Sequence, residues 1–147
     1  MKNVHAVFFL LSGWCTVGLA QNGGGPSALY DEVTQTHLPV GRVSGLSMDA
    51  ATTDLDADGD LDIVIVHEFG NNILLLNNGT GRFESGSRQL PSRIRDSEDV
   101  GIADLDGDGD LDLVIVSEDD RINEMNLNKG DGSFTLEEWT FPGGGHV

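Results

Sequence analysis

Two short stretches of the sequence concentrate carboxylates at a spacing suited to holding a metal ion. Asp54, Asp56, Asp58, Asp60 and Asp62 alternate through the first, and Asp104, Asp106, Asp108, Asp110 and Asp112 through the second. Each stretch contains Asp-x-Asp-x-Asp-Gly-x-x-Asp, with carboxylates at positions 1, 3, 5 and 9 of one tight loop. Alternate residues of such a loop turn inward, so Asp54, Asp56, Asp58 and Asp62 are expected to converge on one point. Asp104, Asp106, Asp108 and Asp112 are expected to do the same. Carboxylates brought so close repel unless a hard cation sits among them. An all-oxygen shell of flexible count suits Ca²⁺ better than Mg²⁺, which keeps its waters and demands octahedral geometry. Position 7 of a calcium loop commonly offers its backbone carbonyl, so Asp60 and Asp110 are expected to ligate through main-chain oxygen, side chains outward. Gly59 and Gly109 supply the sharp turn at position 6, where a side chain would obstruct. Leu61 and Leu111, at position 8, are expected to point into the core. The expectation is two Ca²⁺ sites, one per loop.

Other acidic loops fit less well. An EF-hand shares positions 1, 3, 5 and 6 but requires a bidentate Glu at position 12, where Ile65 and Ile115 stand instead. Helices should also flank an EF-hand, and here β-branched runs follow. A thrombospondin-type repeat needs cysteines, and the chain has one Cys in all. A glycine-rich β-roll needs a nine-residue period, which is absent. A merely solvated acidic turn would not recur with the same glycine and the same following strand.

The recurrence is extensive. Residues 54–66 return as residues 104–116 at an offset of 50, identical at 11 of 13 positions. Asn77-Asn78-Gly79-Thr80-Gly81-Arg82-Phe83 returns as Asn128-Lys129-Gly130-Asp131-Gly132-Ser133-Phe134, one residue having been inserted between. A fainter element pairs an aromatic with a later proline: Tyr30 with Pro39, Phe83 with Pro91, Phe134 with Pro142. Ile63 to Val66 and Leu113 to Val116 are unbroken apolar runs, as expected of strands buried on both faces. Ile73 to Leu76 predicts a second strand, closed by the Asn-Asn-Gly turn signal. The matching stretch, Asn123 to Leu127, is half polar and is expected nearer an edge. Phe83 and Phe134 open a third strand. Each unit is thus expected to hold about four short strands, with no helix following the N-terminal segment.

These residues resemble the FG-GAP/VCBS repeat, the unit of integrin α-subunit-like β-propellers. The resemblance covers roughly residues 43–140, and its most specific parts are the two acidic loops with their Val-Ile-Val strands and the Asn-x-Gly-x-Gly-x-Phe turns. It implies an all-β fold, a partial β-propeller of about two to three four-stranded blades, with calcium loops joining neighbouring strands. Propellers close with several blades, at least about four. Two loops therefore imply either part of a longer propeller chain or a homo-oligomer completing the ring.

Composition and the N-terminus complete the expectation. The chain has 147 residues, 25 acidic against 8 basic, and a formal net charge of −17. That excess argues against nucleic acid as a partner, since phosphate binding runs on Lys and Arg. Lys2, the apolar run Val7 to Leu11, and the small residues Gly18 and Ala20 read as a signal peptide over residues 1–20. Residues 21–28 read as a flexible leader, and residues 29–147 as the repeat region. The signal run is too short for a membrane span. The expected location is therefore secreted or at the cell surface, with periplasm as a variant. Cys15 leaves with the signal, so metal would replace disulfides as the staple.

Catalytic signals are few. No nucleophile elbow or phosphate-cradling Gly-Lys-Ser/Thr occurs. His67-Glu68 and Trp139 are the residues to watch for a ligand, though a strand end and a strand edge are the plainer roles. Arg88, Arg93 and Arg95 form one basic cluster, expected to offset neighbouring acids. The reading is a non-catalytic calcium-binding module for adhesion or for recognising a protein or carbohydrate. The alternative is the propeller part of a secreted polysaccharide-acting enzyme.

Overall fold

The computed structural model describes residues 32–39, 45–86, 89–91, 93–118 and 122–139. The expected signal peptide and leader, Tyr30, Arg88 and Pro142 lie outside the described residues. One turn of helix, α1 (Thr34–His37), precedes eight strands. The strands are β1 (Leu46–Thr53), β2 (Asp62–Gly70), β3 (Ile73–Asn77), β4 (Phe83–Ser85), β5 (Arg95–Ala103), β6 (Asp112–Ser117), β7 (Asn123–Asn128) and β8 (Phe134–Trp139). The helix corrects the expectation that none follows the N-terminal segment. It is held by local bonds, Thr34 N–H to Glu32 Oε1 and Leu38 N–H to Thr34 O, which sequence periodicity cannot register over so few residues.

The strands form two antiparallel meanders, β1 to β4 and β5 to β8, joined where the end of β2 meets the start of β5. The repeat holds down to individual pairs. Thr53 faces Asp62 as Ala103 faces Asp112, and a bulge follows Ser47 in β1 as it follows Ser97 in β5. Ile63 pairs with Leu75 and Leu113 with Asn126, so the inserted residue falls in the β6–β7 connection. β7 does not lie at an edge: it pairs with both β6 and β8, and Glu124 and Asn126 are buried. At Glu124 the charge is matched by partners on β5 and just before it, whereas the Asn126 amide is buried with no hydrogen-bond partner among the described residues. Arg95 Nε donates to Glu124 Oε1 at 3.1 Å, the Arg93 backbone N–H reaches the same oxygen at 3.3 Å, and Arg95 Nη2 pairs with Glu138 at 2.9 Å. Burial, opposed by these bonds and by the Arg95 charge, pushes the Glu124 carboxyl above the usual range.

Side chains alternate across a strand, and the apolar runs use both faces. Val64, Val66 and Leu74 of the first meander pack with Leu113, Ile115 and Phe134 of the second in one core. Ile63, Ile65, Ile73 and Leu75 face the other way, against Leu38 and Phe83. Val114 and Val116, counterparts of Val64 and Val66, are only half-buried. The same residue types therefore carry different burial according to which meander they occupy. Leu74 is 0% exposed, while its counterpart Met125 is half-buried. Leu74→Ala should lower unfolding stability by about 2–5 kcal/mol. Met125→Ala should cost less than half as much, both read by urea denaturation at low protein concentration.

Candidate metal centres

Each acidic loop runs from the end of one strand to the start of the next, β1 to β2 and β5 to β6, and its first turn is shaped by its own carboxylates. Asp54 accepts the backbone N–H groups of Asp58 and Gly59 at 3.2 and 3.0 Å. Asp104 accepts those of Gly107 and Gly109 at 2.8 and 3.2 Å. Asp58 takes Asp60 N–H, and Asp108 takes Asp110 N–H, both at 2.9 Å. Gly59 and Gly109 adopt φ of +93° and +100°, the left-handed region where a Cβ is costly. Ala57 sits at +60°, where the second loop has Gly107 at +83°.

This folding gathers Asp54, Asp56 and Asp58, each offering an oxygen within 4.8 Å of the others. Asp104, Asp106 and Asp108 form an equivalent group within the same limit. Asp62 and Asp112 stand behind these groups, fully buried. Asp62 accepts Leu55 N–H and Asn77 N–H, both at 2.8 Å; Asp112 accepts Leu105 N–H and Asn128 N–H, both at 2.7 Å. Each of those oxygens keeps a second lone pair. Asp60 and Asp110 turn their carboxylates toward the Asn-x-Gly turns, where a Cβ on Gly79 or Gly130 would lie 2.8 or 2.6 Å from them.

Leu61 does not enter the core: it is 60% exposed. Leu55, at position 2, is buried instead, at 2% exposed. Leu61 shares its strand face with Ile63 and Ile65, which looks away from the second meander. Leu111, on the same face of its own unit, meets the first meander and is partly buried.

The electrostatics follow from crowding. Burial first, then the Asp62 and Asp58 charges, raises the Asp56 carboxyl above the usual carboxylate range. Burial also raises Asp62, aided by Asp58 and Asp54 and opposed by the Asn77 and Leu55 N–H bonds. At Asp106 the Asp108 N–H bond lowers the value, but desolvation and the Asp108 and Asp112 charges outweigh it and leave it raised. Asp56 Oδ1 is buried without a hydrogen-bond partner. Among the described residues no lysine or arginine pairs with a loop aspartate.

Two features were not recognised as functional from sequence. Asn77 and Asn128 lock each loop to its turn: Asn77 Nδ2 donates to Leu61 O at 3.2 Å, and Asn128 Nδ2 to Leu111 O at 3.0 Å. Their signal was the repeated Asn-x-Gly element, read only as a turn. Asp96, Glu98 and Glu118 form a third carboxylate group within 4.8 Å, brought together by the β5–β6 pairing rather than by adjacency. His67, by contrast, is buried, with Nδ1 against Asn71 O and Nε2 against the Ser47 hydroxyl.

The left-handed position in the second loop gives a direct check on its geometry. Gly107→Ala should destabilise the protein by about 1 kcal/mol, the cost of a Cβ in that conformation. Ala57→Gly should be close to neutral, as relief of that strain offsets the added freedom of the unfolded chain. Paired denaturation curves test both.

No curated protein matches the chain. A family model described as FG-GAP-like repeat matches residues 54–115, a span holding both acidic loops. The all-β antiparallel meanders agree with part of a β-propeller. Over residues 54–115, then, this chain is similar to an FG-GAP-like repeat.

Proposed function

We propose that the chain is an exported, calcium-stabilised repeat module whose two meanders serve as propeller blades. It acts without catalysis, as a scaffold for adhesion or for recognising a protein or carbohydrate. The observation that carries this reading is the pair of three-carboxylate groups, placed at the same position in each repeat. The buried, unbonded Asp56 Oδ1 supports it, because such an oxygen is costly without a partner and a cation supplies one. Hard oxygen donors from flexible loops fit Ca²⁺, with Asp54, Asp56, Asp58 and Asp62 holding one ion and Asp104, Asp106, Asp108 and Asp112 the other. Asp60 and Asp110 would add main-chain oxygens. Bound calcium would neutralise the crowding that raises these carboxyls. The inward-bonded ring of His67 supports the non-catalytic reading, since its nitrogens are already engaged. Export rests on the residues 1–20 pattern, and the −17 charge favours a calcium-rich exterior over a nucleic-acid partner.

Extracellular sites of this class bind with dissociation constants of about 10⁻⁴ to 10⁻³ M. A tenfold to hundredfold excess of calcium should then stabilise the fold by about 1.4–2.7 kcal/mol per site. The melting temperature should rise by at least about 5 °C, and much less with Mg²⁺. Isothermal titration should count two ions, falling to one in Asp58→Ala and in Asp108→Ala. Identical melting curves in chelator and in calcium would overturn the proposal.

The pH dependence should change sign with the ion. Asp56, Asp62 and Asp106 have raised values in the metal-free fold. Such groups contribute stability below their unfolded value and lose it as pH rises through the folded one. In chelator, therefore, the melting temperature should increase as pH falls from neutrality toward the ordinary carboxylate value of about 4. In calcium it should decrease over the same range, because protons compete with the ion for the oxygens. Differential scanning fluorimetry across that range reads both slopes.

A further inference from the structure

One turn of the second meander touches both acidic loops. It runs from Asn128, the last residue of β7, to Phe134, the first of β8. On one side it closes on its own loop. The Asn128 backbone N–H reaches Asp112 Oδ1 at 2.7 Å, and a Cβ on Gly130 would lie 2.6 Å from Asp110 Oδ2. On the other side it lies against the loop of the first meander, where a Cβ on Gly132 would sit 3.1 Å from Asp56 Cβ. Contacts this close leave no slack, so a shift of either loop is passed to the turn.

The buried side chain of Asn128 carries the connection further. Its Nδ2 donates to Leu111 O in the second loop at 3.0 Å and to Leu55 O in the first at 2.8 Å. Its Oδ1 accepts Lys129 N–H and Gly130 N–H at 2.8 and 3.1 Å, which fixes the way the amide faces. Leu55 lies between Asp54 and Asp56, and its own N–H goes to Asp62 Oδ2 at 2.8 Å. A continuous path therefore runs from Asp112 through Asn128 to the Leu55 backbone and on to Asp62. Each of its ends is a buried carboxylate of a different loop. Asn77, the counterpart of Asn128, makes bonds of the same kind inside its own meander, to Asp62 through its N–H and to Leu61 O through Nδ2.

We propose that Asn128 couples the two acidic loops as metal sites, so that an ion held by either one strengthens binding at the other. The coupling presupposes the calcium sites proposed above and makes their filling cooperative. Fixing Asp112 fixes Asn128 with it, and a fixed Asn128 holds the Leu55 carbonyl in place between Asp54 and Asp56. Both loops need the same amide and the same turn to be ordered. The second ion to bind therefore meets a loop already partly set. By linkage the effect is equal in both directions. Charge alone acts in the opposite sense, since a cation in one loop lowers the negative potential at the other. Positive coupling thus reports the bonded path.

Calorimetric titration of the full chain with calcium, at about 0.15 M salt to screen the loops from each other, tests this. Asp108→Ala and Asp58→Ala give the affinity of the first and the second loop alone, and circular dichroism checks their folds. The product of the two stepwise affinities of wild type, divided by the product of these single-site values, measures the coupling. It should favour joint filling by about fivefold or more. The same cycle in an Asn128→Ala background should show none. In an Asn77→Ala background the first site should weaken while the coupling stays as in wild type, a separation that a merely structural role for Asn128 would not produce. Wild type that takes up both ions independently, or with the first hindering the second, overturns the proposal and leaves the calcium reading standing. Coupling that survives Asn128→Ala, or falls equally in Asn77→Ala, also overturns it. A chain that takes up no calcium overturns both.

Discussion

The carboxylate at position 9 of each loop fixes more of this structure than any other group. Asp62 and Asp112 are 0% exposed, and each binds two backbone N–H groups that arrive from different places. One comes from the start of the loop, at Leu55 or Leu105; the other comes from the turn after the following strand, at Asn77 or Asn128. A charged acceptor makes such bonds worth about 1.5–3 kcal/mol each, which offsets part of the cost of burying the charge. The loop is thereby closed on itself and pinned to the far end of the meander. Since Asp62 and Asp112 also begin β2 and β6, the pin sets the register with β1 and β5. Register in turn decides which side chains face which neighbour, because a slip of one residue would exchange the two faces.

From that register follows the way one sequence pattern serves two environments. The Val-Ile-Val runs are nearly identical in the two repeats, yet Val64 and Val66 are fully buried while Val114 and Val116 are half-buried. Odd and even positions point to opposite sides, and only the first meander has described structure on both. Burial here depends on a unit's place in the array rather than on its own residues. That is the behaviour of a stacked repeat, in which each unit is stabilised mainly by its neighbours.

This also explains what could be read from the sequence and what could not. The acidic loops, the strands after them and the turns were legible because their information is local: spacing, β-branched runs and Asn-Gly signals. The repeat made them more secure, since two copies share the pattern. The fate of Leu61 was not legible, because residue type gives position 8 a core role and only the arrangement of units decides whether a neighbour is there. β7 was misplaced toward an edge for a similar reason. Glu124 reads as a solvated residue until Arg95, 29 positions earlier, is brought against it by the fold. The Asp96, Glu98 and Glu118 group depends on a strand pairing and leaves no compact signature.

The two loops also differ electrostatically despite their matching residues. The turn of the second meander lies against the first loop, so close that a Cβ on Gly132 would sit 3.1 Å from Asp56 Cβ. Asp56 is therefore half-buried, and burial is the largest reason its carboxyl is raised. Asp106 occupies the equivalent position with no unit against it among the described residues and is exposed, so the solvent moderates its crowding. A cation entering the first loop would displace less water and meet a less screened set of carboxylates than one entering the second. Stacking of one unit on the next thus reaches the chemistry of the loop, because the neighbour that covers a position-2 leucine also dries the aspartate beside it.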